Sequence, residues 1–557
     1  MKLPGVVVCL ALTPFSGAAG AASLRFEISL AESLAPAPVD GRLLLLLSTR
    51  TDQEPRFQVV NRRNPHPFFG VDAEGWVAGK PLVIDGEVLG YPVESLRDLP
   101  PGEYNVQAVL NVYTTFRRSD GHLLKLHLDQ WEGQKWNVSP GNLYSKPEKH
   151  RLDPAAGGTV RLRLTEKMPL LDPPKDTRYL KHVKMRSEAV SRFWGRDMSV
   201  GAVVLLPEGF EEHPQARYPV AYLQGHFTPT FRGFREAPPD PEATGVAREA
   251  QERAHAFYRD WVGGEMPRML VVVPLDPNPY YDDSYAVNSA NLGPYGDALT
   301  QELMPYVEKK FRAIGEPWSR TLYGGSTGGW RALALQVFYP DLFNGAWVFC
   351  PDPVDFRHFQ LIDVYQDDNA YYPAADFKKN PIRPMMRSED DQVLLTQREA
   401  SLLELVLGTR GRSGEQLDVF QAVYGPVDKD GYPRLLYDKK TGVIDQGVVD
   451  YWRENYDLRY ILERDWARLG PKLRGKLHIY MGDTDTYYLE EATVLLEKFL
   501  GAAQPPCDCS VEYGKRAPHC WTGAPPGRDP TIHYLPQMAE HLARTAPPGA
   551  DLKSWKY

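Results

Sequence analysis

The stretch RTLYGGSTGGWRALALQVFYP, residues 320–340, decides the fold. It reads as a short apolar strand, a turn crowded with glycine, and then a helix. Gly324-Gly325-Ser326-Thr327-Gly328 fits G-x-S-x-G, in which a serine sits on a sharp strand-to-helix turn and small neighbours let the backbone pass. A Gly-rich chain can hold such a pentapeptide by chance, so its setting carries the weight. Upstream, SVGAVVLLP (199–207), YPVAYLQG (218–225) and MLVVVPLD (269–276) read as strands, the last apolar throughout as a buried central strand is. The segment 297–311 has helical spacing, with Leu299, Leu303, Tyr306, Val307 and Phe311 on one face. Downstream, NGAWVFC (344–350), KLHIYMGDTD (476–485) and SVEYG (510–514) read as further strands, with ATVLLEKFL (492–500) helical between the last two. Strands alternating with helices predict an α/β fold, a doubly wound and mostly parallel sheet.

Outside this core the texture changes. Alternation weakens between 356 and 473, where charged and aromatic residues and helical stretches such as REASLLELVLG (398–408) predict an insertion, a cap or lid beside the site. Before 170 the chain reads as short strands, among them LRFEISL (24–30), RLLLLLS (42–48), YNVQAVLNVY (104–113) and TVRLRL (159–164). These predict an all-β, β-sandwich-like N-terminal domain over 23–170, bounded by the Pro- and Asp-rich passage 170–181, with the catalytic domain over 171–557. Residues 1–22 have a basic start at Lys2, an apolar run over 6–12 and small residues up to Ala22, the pattern of a cleavable signal peptide. Pro14 and the Gly/Ala run cut the apolar segment short of the roughly 18–20 residues a stable membrane anchor needs. A secreted or periplasmic location is expected.

A serine nucleophile needs a base, and the base an orienting acid. In this architecture they follow in the order serine, acid, histidine. Asp483 and Asp485 stand just after a strand, and Asp485, further into the loop, is the better placed to reach a histidine. Alternatively both acids cap the helix that follows. His519 lies in a short loop after the strand 510–514, whereas His533 and His541 belong to a later helical run. One oxyanion donor is expected from the N–H of Thr327, which opens the helix. The second is expected from the backbone of His226 or Phe227, after the strand 218–225. NPYYDDSYAVNS (278–289) falls at the carboxyl edge of the sheet, where ligands bind, and is read either as cleft lining or as a solvated loop.

Several of these stretches together resemble the putative esterases: RYPVAYLQGH (217–226), ELMPYVEKKFRA (302–313), YGGSTGGWRAL (323–333), YPDLFNGAW (339–347), MGDTD (481–485) and HCW (519–521). That group of α/β-hydrolases includes esterase D, feruloyl esterases, siderophore esterases and mycolyltransferases. The resemblance covers about 199–356 and 476–521. It implies a Ser326/Asp485/His519 triad acting on carboxylic esters, without a cofactor. The insertion and the N-terminal β region depart from the family pattern, so the acyl and alcohol pockets do not carry over.

Cys507, Cys509, His519 and Cys520 invite a zinc reading, but C-x-C spacing suits a structural zinc site poorly and no metal is expected. In a doubly wound sheet Cys350 ends a strand at the active-site edge and Cys520 lies in the histidine loop, so a Cys350–Cys520 disulfide is expected. A net charge of -8 without a basic block argues against nucleic acid as a partner. The expected partner is a small-molecule or polysaccharide-linked ester; oligomeric state is not legible. Two other readings compete. A serine peptidase of this fold usually carries a β-propeller ahead of it, too large for about 140 residues. A non-catalytic envelope or polysaccharide-binding protein has no need of an intact triad.

Overall fold

A computed structural model describes residues 23–60, 65–231, 233–374, 382–525 and 527–557. The expected signal peptide over 1–22 lies outside these residues. The core is an eight-stranded sheet, labelled here β1 (Leu180–Arg186), β2 (Ser199–Leu205), β3 (Val220–Gln224), β4 (Leu270–Leu275), β5 (Arg320–Gly325), β6 (Ala346–Phe349), β7 (Leu477–Gly482) and β8 (Ser510–Gly514). Their spatial order is 1-2-4-3-5-6-7-8. The first three in that order pair antiparallel, and β4 through β8 run parallel. This is the sheet of an α/β-hydrolase. Every residue of β4 is buried, as the unbroken apolar run requires when both faces are covered. The passage read as a linker already contains the start of β1, whose alternating polar residues suit an edge strand.

The helix Thr327–Phe338 leaves β5 and is buried along almost its whole length, so it runs through the middle of the molecule. The helical segment expected over 297–311 is a π-turn run, Ala298–Leu303, followed by the α-helix Met304–Lys310. Pro305 accounts for the difference: it lacks an N–H and its ring crowds the preceding turn, which the wider helix relieves. A further helix, Gly245–Val262, is mostly polar and buries Phe257 and Trp261; its sequence carries too thin an apolar stripe to announce it.

Between β6 and β7 the inserted segment holds the hairpin Pro384–Arg387/Val393–Thr396 and the helices Gln397–Leu407, Gln416–Tyr424, Gln446–Tyr456 and Leu458–Leu473. Ahead of the core, a three-stranded and an eight-stranded sheet share buried residues from Leu24, Phe26 and Ile28 to Leu43, Leu45, Val106 and Leu162. The other face of the larger sheet is not left to solvent. Leu44, Leu46, Phe68 and Val109 pack against Leu402, Leu403, Val406 and Leu407 of the insertion. Arg42, buried in this seam, donates to the Val406 carbonyl at 2.8 and 3.0 Å. The insertion is thus less a free lid than a bridge between the β region and the sheet. Among the described residues no helix is long and apolar enough to cross a membrane.

Candidate active site

The turn at Ser326 follows from the local sequence. Ser326 has φ 58° and ψ −125°, a conformation that L-residues rarely adopt and that costs about 1–3 kcal/mol. The glycines make room for it: a Cβ on Gly328 would stand 2.2 Å from the Gln224 carbonyl oxygen, and one on Gly324 2.6 Å from that of Gly328. β3 and β5 pair with Gln224 opposite Gly324, so the loop after β3 is pressed against the serine turn.

Three loops from the carboxyl edge of the sheet meet there. His519 Nε2 lies 2.9 Å from Ser326 Oγ, and His519 Nδ1 lies 2.7 Å from Asp485 Oδ2. Asp485 is fully buried, and its Oδ1 accepts from the Tyr487 N–H at 2.8 Å. The Tyr487 ring stands edge-on to His519, 4.9 Å between centroids. Asp483 is turned elsewhere and accepts from the Arg516 N–H at 2.5 Å. His533 ends the short helix Pro530–His533, and His541 packs against Trp347 and His478. Burial alone would lower the His519 imidazole, but the hydrogen bond to Asp485 and the contact with Cys520 raise it to about 10.

Thr327 opens the buried helix, so its N–H has no intrahelical acceptor. His226 and Phe227 follow β3 as expected. The Phe227 ring is buried and meets Trp131 edge-on at 5.4 Å. The His226 side chain is engaged as well, with Nδ1 3.2 Å from both Asp282 and Asp283, and those carboxylates hold it well above its ordinary value against burial. These acids belong to the 278–289 loop, most of which is buried rather than standing in solvent.

Two residues escaped the sequence reading. Asp352, just beyond β6, has Oδ1 3.4 Å from Ser326 Oγ, and its Oδ2 accepts from Tyr285 Oη at 2.6 Å and Thr327 Oγ1 at 2.9 Å. Gln416, from the insertion, donates to Tyr285 Oη and accepts from Tyr281 Oη at 2.7 Å. The signal for Asp352 was present: like Asp485, it is an acid just past the end of a sheet strand. Gln416 had none, because only the tertiary fold brings the insertion to the site.

The expected Cys350–Cys520 disulfide is not formed. The sulfurs face each other across the site as thiols, Cys350 Sγ 2.9 Å from Cys520 Sγ, while Cys507 and Cys509 are bonded to one another. Both expected partners do lie at the active-site edge. The correction is that contact there is a thiol pair, and that Cys507 and Cys509, two residues apart, satisfy each other. Contact with Cys350, and then with His519, lowers the Cys520 thiol to about 5 against burial, and burial pushes Cys350 well above its usual range. Among the described residues two groups gather metal-capable atoms within 4.8 Å of each other, Cys350/His519/Cys520 and His226/Asp282/Asp283. In the first, His519 has both nitrogens engaged; in the second, His226 lies against both acids and Arg331 against Asp283.

No curated protein matches the chain. Among solved structures it is similar to a ferulic acid esterase (16% identity, 65% of this chain and 96% of that one, TM-score 0.33). It is also similar to an S-formylglutathione hydrolase from Agrobacterium tumefaciens (14%, 66% and 97%, TM-score 0.32) and to MPT51 of Mycobacterium tuberculosis (11%, 66% and 99%, TM-score 0.32). Likenesses this distant say nothing of its substrate. The family model described as "Putative esterase" matches residues 191–402. The segment that carries Ser326 therefore belongs to the putative esterases, and the protein is a carboxylic ester hydrolase.

Proposed function

We propose that the chain is an exported serine esterase working through Ser326, His519 and Asp485. The observation that carries this reading is the bridging position of His519, with one nitrogen on Ser326 Oγ and the other on Asp485. His519 takes the Ser326 proton as Oγ attacks the ester carbonyl, while Asp485 fixes the tautomer and stabilises the imidazolium. The N–H of Thr327 and an N–H of the His226–Phe227 loop receive the oxyanion. The tetrahedral intermediate collapses as His519 Nε2 returns the proton to the leaving alcohol, giving an acyl-enzyme on Ser326. Water, deprotonated by the same nitrogen, then releases the acid. The strained φ of Ser326 supports the reading, since it lifts Oγ clear of the turn toward both donors.

The leader at 1–22 supports export, and residues 23–170 with their two sheets support an N-terminal β-sandwich-like domain. The substrate is a small or polysaccharide-linked ester. The test is hydrolysis of p-nitrophenyl acetate and butyrate and of methyl ferulate by the mature protein beside Ser326→Ala. Turnover that disappears in the variant, with fluorophosphonate labelling confined to Ser326, upholds the proposal. No turnover and no labelling of Ser326 would leave a binding protein on a hydrolase scaffold.

A further inference from the structure

The mechanism above leaves one group beside the nucleophile unused. Asp352 is 5% exposed, and its two oxygens differ. Oδ2 is occupied by Tyr285 Oη, Thr327 Oγ1 and, at 3.4 Å, Gln416 Nε2. Oδ1 has only Ser326 Oγ, at the same 3.4 Å. The carboxyl plane is therefore fixed from behind, by donors that are themselves held, with Tyr281 gripping Gln416, and one oxygen is turned to the place where the ester reacts.

No lysine or arginine among the described residues pairs with Asp352. The cations that act on it are engaged with other acids: Arg331 lies against Asp276 and Asp283, His226 against Asp282 and Asp283, and His519, whose charge also favours ionised Asp352, against Asp485. A buried carboxylate with no cation in direct contact is unfavourable, and burial raises Asp352 accordingly; beside an oxyanion hole its charge also opposes the one that develops during attack. For a neutral ester this group is a hindrance. A substrate cation would remove both penalties.

Its position selects where that cation must be. The leaving oxygen has to face His519 Nε2, whereas Asp352 is bound to Thr327, on the oxyanion side. The part of the substrate nearest Oδ1 is then the acyl group. Once Oγ has bonded to the carbonyl carbon, an atom on the neighbouring α carbon stands about 3 Å from Oγ in a staggered arrangement. From there a donor reaches Oδ1 at ordinary hydrogen-bond distance. Resting on the esterase reading of Ser326, we propose that the site takes esters whose acyl group carries an α-ammonium, that is aminoacyl esters, with Asp352 Oδ1 accepting a hydrogen bond from that ammonium.

The p-nitrophenyl esters of alanine, lactic acid and isobutyric acid test this, being nearly equal in size and differing in one group. With kcat/KM divided by each ester's uncatalysed hydroxide rate, the alanyl ester should exceed the isobutyryl ester by about tenfold or more. The lactyl ester should fall between. In Asp352→Asn that ratio should drop to about twofold or less, since the amide keeps the shape and loses the charge. In the unaltered enzyme the alanyl advantage should also fade as pH rises past about 8 and the α-amine loses its proton. Equal normalised rates, a lactyl preference, an alanyl advantage that persists above that pH, or an Asp352→Asn variant that slows all three esters by one factor would each overturn the proposal while the esterase reading stands. No turnover of any ester, with no fluorophosphonate labelling of Ser326, would overturn both.

Discussion

Among the described residues a histidine contacts both a serine and a carboxylate in two places. At the sheet edge His519 separates its partners, with Ser326 on Nε2 and Asp485 on Nδ1. In the N-terminal β region His127 does not. Its Nε2 faces both Ser139 Oγ at 3.0 Å and Glu132 Oε1 at 2.7 Å, and Ser139 Oγ donates directly to that same carboxylate oxygen at 2.7 Å. Ser139 is fully buried, and His127 Nδ1 has no hydrogen-bond partner. The same three residue types thus make an open chain through the ring in one place, the geometry the proposed relay needs, and a closed knot in the other. What separates them is topology: a relay needs acid and nucleophile on opposite nitrogens, an exposed Oγ, and N–H groups waiting beside it. The knot instead satisfies polar side chains that would otherwise be costly to bury.

The sharpest way to break this contrast is to remove each serine. Ser326→Ala should lower kcat/KM on p-nitrophenyl butyrate by about 10⁴–10⁶-fold. Ser139→Ala should leave it within about twofold, because no reacting atom comes near Ser139. Removing the acids comes next. Asp485→Asn should cost about 10⁴-fold in kcat by upsetting the tautomer of His519. Glu132→Ala should spare kcat and instead lower stability by about 3–5 kcal/mol, read from urea unfolding, since it leaves the buried His127 without its carboxylate. The smallest effect is on pH dependence. A base works only when neutral, so an imidazole raised to about 10 places the rising limb of kcat/KM on the alkaline side of the ordinary histidine value of 6.5. Cys520→Ser removes one of the contacts that raise it, and the limb should move toward acid. A limb that stays in place would show that Asp485 alone sets the value.

The inner strands of the sheet were readable because they are short apolar runs between turn residues, and the turn at Ser326 because only glycines fit beside it; the edge strand β1, polar and alternating, was not. The contacts of His519 with Asp485 and Ser326 match what chain order led one to expect. Asp352 was missed although its setting, an acid just beyond a strand, repeats that of Asp485, because the catalytic order asks for a single acid. The grip of Gln416 on Tyr285 depends on an insertion folding back across more than a hundred residues, and no local pattern encodes that. The cysteines show a related limit: sequence brought Cys350 and Cys520 to the same edge of the sheet but not the difference between contact and bond.

Two loops at the site lean on the N-terminal β region: Trp131 packs against Phe227, and Gln134 Nε2 donates to the Asn278 carbonyl of the 278–289 loop at 2.7 Å. The insertion is clasped to that region through Arg42 and the apolar seam beneath it. In evolutionary terms, a gene rearrangement that separated the β region from the sheet would take Trp131 from Phe227 and bare the apolar face of the helix Gln397–Leu407 to water.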